Sequence, residues 1–184
     1  MLRTAAASAC VSILMVAPLA ADEAKAGLSP CVLVSAGSGS KANSEKVTQF
    51  WQTVNAEIAK SLVEQLTRDG VAARLDVLPQ DAASDRVPGL IALALARERC
   101  SQLMQFTHQL GGGSGPGAYF AFEAALFGVR EADGGFTLGQ EAFRKNYRYA
   151  LTEEVLKSLS TSEVAGKLKG DLASAGVLRG QAKK

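Results

Sequence analysis

A single histidine, His108, occurs in the 184 residues, and that scarcity removes several chemistries at once. A histidine-based metal cluster is unavailable. A serine triad would have to recruit His108 from inside a strand pattern in which Met104, Phe106 and Leu110 share its side. The alternation reads His108 as a core histidine with a hydrogen-bond partner. Serine is plentiful, yet there is no Gly-x-Ser-x-Gly elbow, and Gly37-Ser38-Gly39 is too short to be one. An excess of charge is lacking too: the formal net charge is +2. Loss of Arg3 with the leader described next would bring it nearer zero, so no concentrated basic face for nucleic acid is expected. Internal repeats and heptad runs are absent.

What is present begins with Met1-Leu2-Arg3, an apolar run containing Val11, Ile13, Leu14, Met15 and Val16, and then Pro18-Leu19-Ala20-Ala21. A positive start, a short apolar stretch and a small-residue cleavage zone read as a secretory signal peptide over residues 1–21, with cleavage as late as Ala26 also fitting. The run is shorter than the roughly 20 apolar residues of a membrane span, and no span is expected once the signal is removed. Cys10 lies inside this run rather than behind it, which disfavours a lipid-anchored cysteine. Residues 27–176 then form one domain of ordinary size. Residues 177–184, with Arg179, Lys183 and Lys184, read as a basic, solvated, flexible tail.

Three cysteines are encoded, and removal of Cys10 leaves an even pair. In an exported protein Cys31 and Cys100 are expected to form a disulfide, with two buried thiols as the alternative.

The element pattern starts at the apolar run 31–36, read as a strand buried on both faces that stops at glycine. Val47, Phe50, Trp51, Val54, Ile58, Leu62 and Leu66 recur at spacings of three and four, predicting an amphipathic helix from Ser44 to Gly70 in which Trp51 is core. A second strand over 71–78, a helix opening at Pro88 and a third strand over 100–110 follow. Cys31 and Cys100 then open two strands; if these are parallel neighbours, the sulfurs lie at the same end. Beyond the glycine loop 111–117 come two strands, 118–130 and 136–149, joined by an Asp133-Gly134-Gly135 turn, with Leu138, Phe143, Tyr147 and Tyr149 available for packing. A terminal helical region begins at Thr152 and is open to interruption at Ser160-Thr161-Ser162. The fold class is therefore mixed α/β: a single mixed sheet with the first strand central. Its helices are expected on one face, because Gln105, Thr107 and Gln109 would need partners beneath a second layer.

This order, together with the segment Leu93-Ala94-Leu95-Ala96-Arg97-Glu98-Arg99-Cys100-Ser101-Gln102-Leu103, the glycine loop, Ala118-Tyr119-Phe120-Ala121-Phe122 and Thr137-Leu138-Gly139, resembles the N-terminal domain of TolB and the cores of CsgG-like envelope assembly proteins. The resemblance spans about residues 30 to 170 and rests on patterning. It implies a periplasmic envelope protein that docks partners and has no catalytic residues to carry over.

Gly37, Ser38, Gly39, Ser40 and Lys41 are the candidate ligand-binding residues. Their glycine spacing fits a loop whose backbone amides approach an anion ahead of a helix, although a plain flexible loop fits as well. Asp76, Asp81 and Asp85 read as solvated turn residues rather than a catalytic cluster. The expectation is an exported, non-catalytic protein with no cofactor and no metal, docking a protein partner through a sheet edge or the loops at 37–43 and 111–117. The alternative is a small-ligand-binding or hydrolytic protein using the crevice after the first strand.

Overall fold

The computed structural model describes residues 27–39, 44–80, 82, 84–111, 117–132 and 134–178. The signal-peptide segment, Cys10, Ser40, Lys41 and Asp81 lie outside these residues. The elements are β1 (Ser29–Gly39), α1 (Glu45–Arg68), β2 (Ala73–Val77), α2 (Val87–Glu98), β3 (Cys100–Gly111), β4 (Tyr119–Ala132), β5 (Gly135–Ala150), α3 (Glu153–Ser158) and α4 (Thr161–Ser174). They build one mixed sheet in the order β2-β1-β3-β4-β5. β1 pairs in parallel with β2 and β3, and the β3-β4-β5 meander is antiparallel.

The two-sided burial read from the run 31–36 holds. Val32, Val34 and Ala36 pack against α1 and α4, together with Met104, Phe106, Phe120 and Phe122. Cys31 and Leu33 face the other way, against Ile91, Ala94 and Leu95 of α2. The expectation that all helices share one face is therefore wrong. The crossover from β1 to β2 moves one way across the sheet, and the crossover from β2 over β1 to β3 moves the other. If both are right-handed, their helices must lie on opposite faces. The polar residues used to argue for an open face are explained by the shortness of α2, which covers only one end of the sheet: the starts of β1 and β3, Val129 of β4 and Phe136 of β5. Beyond it Gln105 and Thr107 are half-buried and Gln109 is exposed.

β1 also runs further than the apolar run suggests. It continues through Gly37, Ser38 and Gly39, pairing Ser38 with Thr107 and Gly39 with His108 after an irregularity that follows Ala36. Gly37 sits at that irregularity with φ of +95°, a conformation that favours glycine.

On the α1 side, Trp51 stacks on Phe120 at 4.4 Å and Phe120 on Tyr149 at 5.2 Å, so the tryptophan is core as its spacing predicts. Two one-residue register shifts in the β4–β5 ladder interrupt the alternation of β5 between Phe143 and Leu138 and cancel in parity beyond it. Phe143 opposes Leu126, Glu141 opposes Phe127, and Leu138 opposes Val129. Phe143 and Tyr149 are partly buried and Tyr147 is buried, whereas Leu138, expected to pack, is exposed. Ser160 does interrupt the terminal helix, its hydroxyl accepting from the Glu163 amide to cap α4. The chain stays packed through the first two residues of the stretch read as tail: Gln102 donates to the Val177 carbonyl at 2.9 Å, and Leu178 is buried.

Candidate functional site

Gly37, Ser38 and Gly39 end β1 at the edge of the sheet where α1 and α2 begin on opposite faces, the position at which open α/β sheets place ligands. The structure commits both glycines to the fold. The Gly37 amide donates to Oδ1 of Asn55, a fully buried residue of α1, at 2.6 Å. A Cβ at Gly39 would stand 2.4 Å from both Nδ1 and the carbonyl oxygen of His108. The cavity beside them, bounded by Gln52, Leu78 and Val87, holds about 30 Å³. That is room for a water rather than an organic ligand. Asn55 Nδ2 and Gln52 Oε1 are buried without a protein partner, which suits such a water. Asn55 was missed in the sequence, though a polar residue four after Trp51 and three before Ile58, on the apolar stripe of α1, was the available signal.

The remaining candidates are dispersed. His108 is 1% exposed, on the α1 side of β3 as its alternation predicts. Asp76 is ion-paired with Arg97 at 3.4 Å, and Asp85 is exposed in the turn before α2. Cys31 and Cys100 are joined by a disulfide, with Cα atoms 4.7 Å apart. Both are buried among Leu33, Leu95 and Leu103 at the start of the parallel ladder. Among the described residues there is no cluster of three or more potential metal ligands, and no helix is long and apolar enough to cross a membrane.

The feature with the most unused bonding capacity is β5, the outer strand of the sheet. It is 16 residues long and pairs only with β4. Outer strands present unpaired backbone N–H and C=O groups, and the opposite outer strand, β2, is only five residues long. Alternation sorts the β5 side chains. Phe143, Lys145, Tyr147 and Tyr149 turn toward α3 and α4, where Lys145 pairs with Asp171 at 2.7 Å and the Tyr147 hydroxyl donates to the same carboxylate at 2.7 Å. Hydrogen bonding from Lys145, then from Tyr147, holds the Asp171 carboxyl below its ordinary range. Burial first, then Asp171, pushes the Tyr147 phenol up. This cluster clamps α4 to β5.

Arg144 and Arg148 point to the other face, beyond the reach of α2. Arg144 binds Glu123 and Glu141. Arg148 lies over the Tyr119 ring, 3.5 Å from its centroid. On the α3 side a groove of about 360 Å³ runs beside the end of the strand, lined by Tyr149, Val155, Leu159 and Val164, with Glu163 and Lys167. The basic residues of β5 were not singled out in the sequence. The signal was a strand whose last eight residues, 143–150, carry Arg144, Lys145 and Arg148 and no carboxylate.

No family model and no curated protein matches the chain. Solved structures with a similar course include the hypothetical protein CT253 from Chlamydia trachomatis, at 7% identity over 81% of this chain and 98% of that one, with a TM-score of 0.42. The PelC dodecamer from Paraburkholderia phytofirmans is similar at 10% identity over 84% of this chain and 89% of that one, with a TM-score of 0.38. Neither is a TolB or CsgG protein.

Proposed function

We propose that this chain is an exported protein of the cell envelope that acts by docking a protein partner along the outer edge of β5, without catalysis of its own. The observation that carries the reading is β5 itself: 16 residues whose outer side no described strand covers. Strand addition to such an edge gives affinity through main-chain hydrogen bonds and specificity through the alternating side chains. Export is supported by the leader pattern over 1–21 and by the Cys31–Cys100 bridge, since disulfides persist in oxidising compartments. The resemblance of the element order to the TolB N-terminal domain and CsgG-like cores points the same way.

Two measurements test it. Fractionation should find the cleaved chain outside the cytoplasm with Cys31 and Cys100 oxidised; a cytoplasmic, reduced chain removes the export reading. A photo-crosslinker placed at Asn146 should capture one stoichiometric partner in intact envelopes. The same probe at Leu93, exposed on α2, should not. Equal capture from both positions, or none from Asn146, overturns the docking site.

A further inference from the structure

We propose that the segment received by β5 is an extended strand with two acidic residues four positions apart, each flanked on its outer side by an apolar residue, an inference that rests on the docking edge described above. Two observations on opposite faces of β5 define it. On the open face, Arg144 and Arg148 are four residues apart, about 13 Å along a strand. Arg148 has no carboxylate partner among the described residues, only the Tyr119 ring beneath it. On the other face the groove lined by Tyr149, Val155, Leu159 and Val164 lies beside the Tyr149 end of the strand. A strand hydrogen-bonded to β5 would lie about 4.8 Å away, with successive side chains on alternate faces. Carboxylates four residues apart would then meet Arg148 and compete with Glu123 and Glu141 for Arg144, while the side chains flanking that pair, if apolar, would lie opposite Phe143 and Tyr149, the latter at the mouth of the groove.

A second copy of this chain is the natural rival occupant, and its charges oppose it. Antiparallel pairing of 143–150 with itself places Lys145 opposite Arg148 twice in the centred register, and like charges directly opposite destabilise a ladder. The register that would match Glu141 with Lys145 is centred on Phe143. It runs through the irregularity at Ala142, where the β4–β5 ladder skips a residue.

The test uses the purified chain and a fluorescent seven-residue peptide with glutamate at its second and sixth positions, valine at its first and seventh, and threonine elsewhere. Its counterpart carries lysine for glutamate. Anisotropy should show saturable binding of the acidic peptide, weaker at higher salt, and at least about tenfold weaker binding of the lysine peptide. Hydrogen exchange should show new protection confined to 143–150. Arg148→Glu should weaken the acidic peptide about fivefold or more, the upper range for one exposed ion pair, with an unchanged circular dichroism spectrum. Arg144→Gln should weaken it as well.

Equal binding of the two peptides, no binding of the acidic one, or protection outside β5 overturns the inference. Concentration-dependent protection of 143–150 in the chain alone overturns it in favour of self-pairing. A partner crosslinked from Asn146 in envelopes, combined with no binding of the acidic peptide, keeps the docking edge and rejects this chemistry. Peptide binding with no crosslinked partner keeps the chemistry and rejects the docking role.

Discussion

Replacing both bridge cysteines, as Cys31→Ala with Cys100→Ala, deletes a crosslink spanning 69 residues of sequence. In the folded chain the change is small in volume. The two side chains are 6% and 0% exposed and sit among apolar neighbours, so no polar group loses a partner. The larger effect falls on the unfolded chain, which gains the freedom of an open loop. The chain-entropy relation gives roughly 4 kcal/mol for a loop of this length. For a domain of this size, each kcal/mol moves the melting midpoint by about 2 to 4 °C, so the midpoint should fall by roughly 8 to 16 °C. Urea unfolding followed by far-ultraviolet circular dichroism provides a second readout with its own sign. An uncrosslinked unfolded chain exposes more surface, so the denaturant slope should rise as the midpoint falls. A parent shown by mass spectrometry to be bridged, with a double variant melting within about 2 °C of it and an unchanged slope, would refute the loop-entropy reasoning.

Three further outcomes are expected. Asn55→Ala should lower stability by about 1 to 3 kcal/mol in urea melts, because the buried Gly37 amide loses its acceptor, partly offset by removing the unpartnered Nδ2; a neutral result would show that water already replaces that bond. Gly39→Ala should be strongly destabilising, and adding His108→Ala should not rescue it. The His108 carbonyl stands as close to the new methyl as the imidazole does, so a full rescue in thermal melts would place the clash in the ring alone. Asp171→Asn should cost stability at neutral pH and little in acid: the Asp171 carboxyl is depressed in the folded state, so its contribution is complete above the unfolded carboxylate range near 4 and is lost as pH falls through the folded value. A penalty independent of pH down to acid unfolding would remove the ionic part of the α4 clamp.

Elements with a strong local period were legible before the fold was known. The α1 stripe, the β4–β5 hairpin, the break at Ser160 and the strand-start cysteines all follow from spacing within a short window. What escaped depended on relations between windows. The face taken by α2 is set by the direction of a crossover, which follows from strand order rather than from the apolar pattern of α2. Gly37 and Gly39 read as a loop because glycine usually ends strands. Here one accommodates an irregular step in β1 and the other makes room for His108 on the neighbouring strand. Leu138 was misassigned because it lies an odd number of residues from Phe143, Tyr147 and Tyr149: the two one-residue shifts cancel in parity and leave it opposite Val129 on the other face, where it is exposed. The Arg144–Arg148 pair carries no signal in the apolar alternation, which marks only the side of a strand that packs.

The interior position of β1, between β2 and β3, sets a schedule on the growing chain. β1 is the first strand synthesised, yet both of its neighbours come later: β2 ends at Val77 and β3 at Gly111. At synthesis rates of about 5 to 20 residues per second, the 69 residues between the two cysteines correspond to roughly 3 to 14 s. Until β2 is complete at Val77, Cys31, Val32, Leu33 and Val34 are an apolar segment with neither neighbour made, and until Cys100 is added one thiol waits for its partner. A short apolar window of this composition is the kind that joins other chains while it waits. Yield on expression should therefore respond to whatever occupies that interval, such as slower elongation or a holding chaperone, more than to changes in final stability.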